Sequence, residues 1–173
     1  MRIIKRLAVG CLVGVLLLTA ACSKGQPNTE EETDAKNPSS VVLEISEEDQ
    51  NVLEQIGDDL QPITDETFAE TVSTLNADPA PYVGTVYEME GALTHKQVHD
   101  ETVPYLYRTV GSGDEVTEVG FLLRYLPDEL EDGAWLHVYG ILALDEHDGH
   151  SHAVLDVIAV ETPALMGSVA LEQ

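Results

Sequence analysis

The 173 residues include 8 Lys and Arg against 32 Asp and Glu, a formal net charge of −24 at pH 7. A surface this acidic repels phosphate, and nucleic-acid affinity comes largely from Lys and Arg displacing counterions, so nucleic acid is excluded as a partner. Hydrophobic residues make up 43% of the chain, enough to bury a core in a domain of about 130 residues.

Arg2, Lys5 and Arg6 precede an apolar run from Leu7 to Leu18. That run is too short to cross a hydrocarbon core of about 30 Å as a helix, and it reads as a cleaved secretory signal over residues 1–21. Thr19-Ala20-Ala21-Cys22 resembles the lipobox of bacterial lipoproteins, with Thr19 where Leu is usual. The resemblance implies peptidase cleavage before Cys22, acylation of Cys22 (thioether-linked diacylglycerol, palmitate) and a lipid-anchored, extracytoplasmic domain whose first partner is the cell membrane. Cleavage removes three basic residues and no acids, leaving five against 32 and a net charge of −27. Cys11 leaves with the signal and Cys22 is acylated, so the folded part has neither a disulfide nor a thiolate ligand.

Residues 22–40 contain no large apolar side chain and include Pro27, Pro38 and an acidic run, the composition of a disordered tether. Residues 41–78 predict two short helices. Ser46 caps the first, whose stripe of Val52, Leu53, Ile56 and Leu60 is spaced to face a sheet; Thr64 caps the second, with Ile63 stapled on Phe68 and the stripe continued by Val72 and Leu75. Asp78-Pro79-Ala80-Pro81 ends it.

Over 79–173 the apolar period falls to two. Val83, Thr85, Tyr87 and Met89 alternate with Val86, Glu88 and Glu90, and Val119, Phe121, Leu123 and Tyr125 alternate with Glu118 and Arg124. Between them Val103, Tyr105 and Tyr107 alternate with Leu106 and Arg108, which puts the tyrosines in the core. Trp135 to Leu144 and His152 to Glu161 complete five strands, with a short helical or looped crossover from Pro127 to Gly133. The predicted fold is mainly β with a short α-helical lead, an OB-like five-stranded barrel; a β-sandwich fragment is the alternative.

Ile63-Thr64-Asp65 with Phe68, Tyr82-Val83-Gly84, Glu90-Gly91, Gly120-Phe121, and Trp135 with Val138 and Gly140 resemble the soluble C-terminal domain of a family of two-component membrane permease subunits and its stand-alone lipoprotein relatives. The resemblance covers about 100 residues, Ile63 to Glu161. It implies an OB-like extracytoplasmic module partnered with a membrane permease subunit. Many relatives carry adjacent cysteines where this chain has Ser112-Gly113-Asp114, so no thiol chemistry carries over.

Histidine bears the remaining chemistry. His95 and His99 fall in one predicted loop region, and His147, His150 and His152 in another, and in an OB ring these loops flank the ligand face. A two-residue turn at Asp148-Gly149 sets His147 across from His150 and Asp145 across from His152, so that all four share the solvent face while Leu142, Leu144, Ala153 and Leu155 take the core. Asp145, His147, His150 and His152, joined by His95 and His99, form a candidate site for zinc, nickel or copper(II), which accept nitrogen and oxygen ligands. His137 is expected at the surface. No nucleophile motif, phosphate loop or catalytic order is present. The sequence therefore predicts a non-enzymatic binding or accessory subunit beside a transporter, with a metal-free scaffolding module or a small-ligand OB domain as alternatives.

Overall fold

The computed structural model describes residues 35–98, 100–112, 115–147 and 150–171, without the side chains of Ser112, Glu115, His147 and His150. The expected signal segment, Cys22, the tether through residue 34, and His99 lie outside the described residues. What is described is mainly β with a short helical lead.

Helix α1 (Glu47–Ile56) starts where expected. The Asp49 N–H donates to Ser46 Oγ over 3.1 Å, and Glu47, Glu48 and Asp49 put negative charge at the helix N-terminus. The helix ends at Gly57, whose φ of 53° suits a residue without a β-carbon. Its expected packing is not realised: α1 buries no residue and Val52 is 38% exposed. The stripe expected to face a sheet stays exposed at Val52 and only half-buried at Leu53, Ile56 and Leu60, ahead of β2 (Gln61–Ile63).

Helix α2 (Phe68–Ala77) begins later than predicted. Thr67 occupies the N-cap without a side-chain bond, and Thr64 instead forms a local turn, its N–H donating to Thr67 Oγ1 over 3.1 Å and its hydroxyl to Glu66 over 2.7 Å. The expected stripe does pack: Phe68, Val72 and Leu75 are at most 2% exposed. Asn76 Nδ2 donates to the Gly120 carbonyl over 3.0 Å, tying α2 to the sheet.

Five long strands form that sheet: β3 (Val86–Val98), β4 (Glu101–Ser112), β5 (Glu115–Arg124), β6 (Trp135–His147) and β7 (His150–Glu161). β3 pairs antiparallel with β6 through Val86–Ala92 and with β4 through Ala92–Val98. β4 pairs antiparallel with β5, β6 with β7, and β5 runs parallel to β7 at Leu122–Arg124, so the pairings close a ring of five. β2 extends β3 in parallel, β8 (Leu165–Met166) pairs with β1 (Ala35–Lys36), and β9 (Ala170–Leu171) runs parallel to β4. Where β3 changes partner the backbones crowd. A β-carbon on Gly91 would come within 2.9 Å of the Tyr107 carbonyl oxygen, and one on Gly120 within 1.9 Å of the Leu106 oxygen.

The core inside the ring includes Met89, Leu93, Leu106, Phe121, Leu123 and Leu155, all at most 2% exposed. Strand β4 reverses its expected parity. Leu106, Arg108 and Val110 are buried, whereas Tyr105 and Tyr107 are half-buried on the other face. Leu106 sits opposite Phe121 in the ladder, and the tyrosines keep their hydroxyls near water. The inward Arg108, 2% exposed, ion-pairs with Asp65, donates from Nε to the Glu90 carbonyl over 2.9 Å, and has its guanidinium carbon 5.1 Å from both the Phe68 and Trp135 rings.

Residues 35–40, read from composition as tether, are a strap instead. Asn37 is 7% exposed; its Nδ2 donates to the carbonyls of Trp135 at 2.7 Å and Pro163 at 2.8 Å, and its Oδ1 accepts the Trp135 N–H at 3.0 Å. An amide that satisfies both backbone groups of Trp135 outweighs the low hydropathy of the segment. The expected tether therefore does not extend through residues 35–40.

Candidate functional site

The β6–β7 hairpin has the predicted register, with Asp145 opposite His152, Glu146 opposite Ser151 and His147 opposite His150. Asp145 and His152 are exposed while Leu142, Ala153 and Leu155 are buried, so the expected core and solvent faces are the observed ones at these positions. Asp145 already has a cation beside it: Arg124 Nη1 lies 3.4 Å from its carboxylate. His95 turns to the β5–β6 crossover, its Nδ1 2.6 Å from Asp132 Oδ1. His99 and the side chains of His147 and His150 fall outside the described residues. Among the described residues, no group of three or more His, Cys, Asp or Glu is placed to hold a metal ion.

A groove of about 410 Å³ opens between the β3–β4 connection and the β6–β7 hairpin. Val98, Val103, Leu122 and Val154 are its apolar lining, and Asp100, Glu101, Asp145 and Arg124 its charged one. Strand alternation builds this surface: Leu122 lies between the buried Phe121 and Leu123 and projects from the opposite face, with Tyr105 across the ladder on β4 and Val154 across it on β7. Arg124 is held by Asp156, with Nε donating over 2.6 Å and Nη2 over 2.9 Å, and these bonds raise its pKa beyond the ordinary guanidinium range. On the same β4 face the Tyr105 and Tyr107 rings stack 6.3 Å apart, and Lys96 Nζ sits 3.6 Å over Tyr105. Burial, and then the nearby Glu118, raise the Tyr105 phenol.

A second polar cluster was not legible in the sequence. His137 on β6, expected at the surface, has a side chain only 16% exposed. Its Nε2 lies 2.9 Å from Glu88 Oε1 and its Nδ1 2.9 Å from Glu161 Oε1, with Glu90 Oε1 at 4.0 Å. Both ring nitrogens are thus within hydrogen-bond distance of a carboxylate, the donor and acceptor roles being set by the tautomer. Trp135 Nε1–H holds Glu90 at 3.0 Å, and the Tyr139 ring lies 4.7 Å from His137. Burial, reinforced by Glu88 and Glu161, pushes the Tyr139 phenol up to about 12. Register makes the cluster, placing Glu90 opposite His137 and His137 opposite Glu161. Outward parity was readable at Glu88, Glu90 and His137; at Glu161 the register shift beside Gly140 reverses the parity that Ala153 and Leu155 set, and neither that shift nor the adjacency of β3 and β6 had a local signal.

No family model, curated protein or solved structure matches this chain.

Proposed function

We propose that this protein is a membrane-anchored extracytoplasmic lipoprotein acting as a non-enzymatic binding or accessory subunit, on an OB-like barrel, beside a membrane permease subunit. The observation that carries the reading is the groove between the β3–β4 connection and the β6–β7 hairpin. In OB folds the ligand surface lies on the second and third strands between these two loops. The ring order supports the same assignment, since the first long strand meets the second and the fourth, and the third runs parallel to the fifth. The lining is half apolar and half charged, so the groove can pair a ligand's carbon with the valines and Leu122 and its polar end with the charged groups. Cys22 supplies the anchor. Metabolic labelling with an alkyne fatty acid should mark the natural chain and leave Cys22→Ser unlabelled, and native mass spectrometry of the gently extracted protein should show a small-molecule adduct that Leu122→Gln loses. Equal labelling of both chains sinks the anchor; an adduct that survives Leu122→Gln sinks the groove.

The hairpin register favours a second reading, a divalent cation held by His147, His150 and His152 with Asp145 at their side. Zinc, nickel or copper affinity should then weaken as pH falls through the imidazole range near about 6.5, because protons compete for the same lone pairs. It should vanish when His147 and His150 are both Ala. Affinity that survives that pair of changes removes histidine coordination and leaves diffuse attraction to an acidic surface.

A further inference from the structure

We infer that the groove takes a small alkylammonium ion, a primary amine on a short alkyl chain. This inference rests on reading the groove as the ligand site, and it names the ligand's chemistry. Two features of the same cavity select for it together. The floor of Val98, Val103, Leu122 and Val154 offers only apolar carbon, with Val154 3% exposed beneath its neighbours. It matches methylene groups and leaves any polar body unpaired. The rim sets the sign of the charge. Asp100, Glu101 and Asp145 face one guanidinium there, and Arg124 is committed through Nε and Nη2 to Asp156, which lies outside the groove lining.

Among the described residues Asp145 makes only the long 3.4 Å contact with Arg124, and an ammonium brings its carboxylate three N–H donors. A carboxylate or phosphate ligand would meet three like charges. A neutral alkyl chain would fill the floor and leave the rim carboxylates without a partner. A volume near 410 Å³ sits toward the small end of the range for ligand sites, which suits a chain of a few carbons better than a large aromatic.

The test follows Val and Leu methyl NMR signals of the full chain on lipid nanodiscs during titration with 1-aminopentane, 1-pentanol and pentanoate at pH 7, with empty nanodiscs as the partition control. The expected result is saturable shifts at Val98, Val103, Leu122 and Val154 with aminopentane, at least tenfold weaker binding of pentanol, and none of pentanoate. Asp145→Asn should weaken aminopentane at least tenfold, while Glu54→Gln on the exposed α1 leaves it unchanged. Pentanol or pentanoate binding as well as aminopentane overturns the ligand class and leaves the groove standing as a site. No shift at the four floor residues with any of the three probes overturns the site as well. Shifts spread over the acidic surface, without saturation and indifferent to Asp145→Asn, also overturn the proposal. Nα-acetyl-lysine amide separates the two sources of the chemistry: binding equal to aminopentane assigns the amine to a partner's lysine side chain, and its absence assigns it to a free amine.

Discussion

Arg108 shows how much one inward side chain reorganises around itself. The guanidinium is buried on the core side of β4, yet Asp65 is 60% exposed, so the pair is half in water and its strength is as much packing against Phe68 and Trp135 as charge. Arg108→Ala should cost about 3 kcal/mol or more in urea denaturation, since it leaves a cavity between two rings and strands the Glu90 carbonyl. Arg108→Lys should recover little, because one ammonium cannot reach Asp65 and the Glu90 carbonyl with a planar fork. Stability unchanged within error in Arg108→Ala would show that the cavity closes without loss.

Tyr139 supplies the pH dependence at this scale. Its folded pKa of about 12 lies above the usual tyrosine value of about 10, so the neutral phenol favours the fold. The contribution is complete below pH 10 and is lost as pH rises from 10 to about 12. NMR titration of a ¹³C-labelled tyrosine ring should place this phenol last among the half-buried tyrosines, and Glu88→Gln should lower it by removing a neighbouring negative charge. A midpoint near 10 would contradict the burial that defines the cluster.

At the scale of elements, the two helices have opposite standing. α1 has a sound cap and an apolar stripe, but buries nothing; α2 lacks a side-chain cap and buries Phe68, Val72 and Leu75. Capping therefore matters locally in the first and packing matters globally in the second. Ser46→Ala should remove about 1 kcal/mol from α1 alone, read as faster amide exchange at residues 50–56 with the thermal midpoint unmoved. Phe68→Ala should cost about 3–5 kcal/mol of global stability. A shared loss of midpoint in both variants would mean that α1 is part of the cooperative unit. The contrast has a plain cause, since a short helix gains most of its stability from the surface it covers.

For the whole molecule, the closed ring leaves the strap and the C-terminal strands to finish the outside. Trp135 alternates with the inward Leu136 and would face solvent, but it is completely buried, with Asn37 on its backbone and a β-carbon on Gly167 only 2.9 Å from its ring. Deleting residues 23–34 should leave the thermal midpoint unchanged. Asn37→Ala should lower stability by about 1–3 kcal/mol, because two backbone groups of Trp135 lose their partner in a dry place. If the deletion destabilises as much as Asn37→Ala, the tether reading of residues 23–34 is wrong.

The strands, the second helix and the hairpin were legible because each depends on neighbours in sequence: alternation sets which side chains share a face, and a two-residue Asp-Gly connection sets the register of Asp145 with His152 and His147 with His150. Other features depended on partners far along the chain. Arg108 and Tyr107 sit on adjacent positions of β4, and alternation alone allows either to be inside; Phe121 opposite Leu106 and Asp65 beside the guanidinium decide it. Composition marked residues 35–40 as tether because it has no term for an Asn that caps a buried Trp 98 residues away. The gathering of Glu88, Glu90 and Glu161 around His137 required β3 and β7 on either side of β6, and ring closure, a long-range pairing with no local signature, is what brought them together.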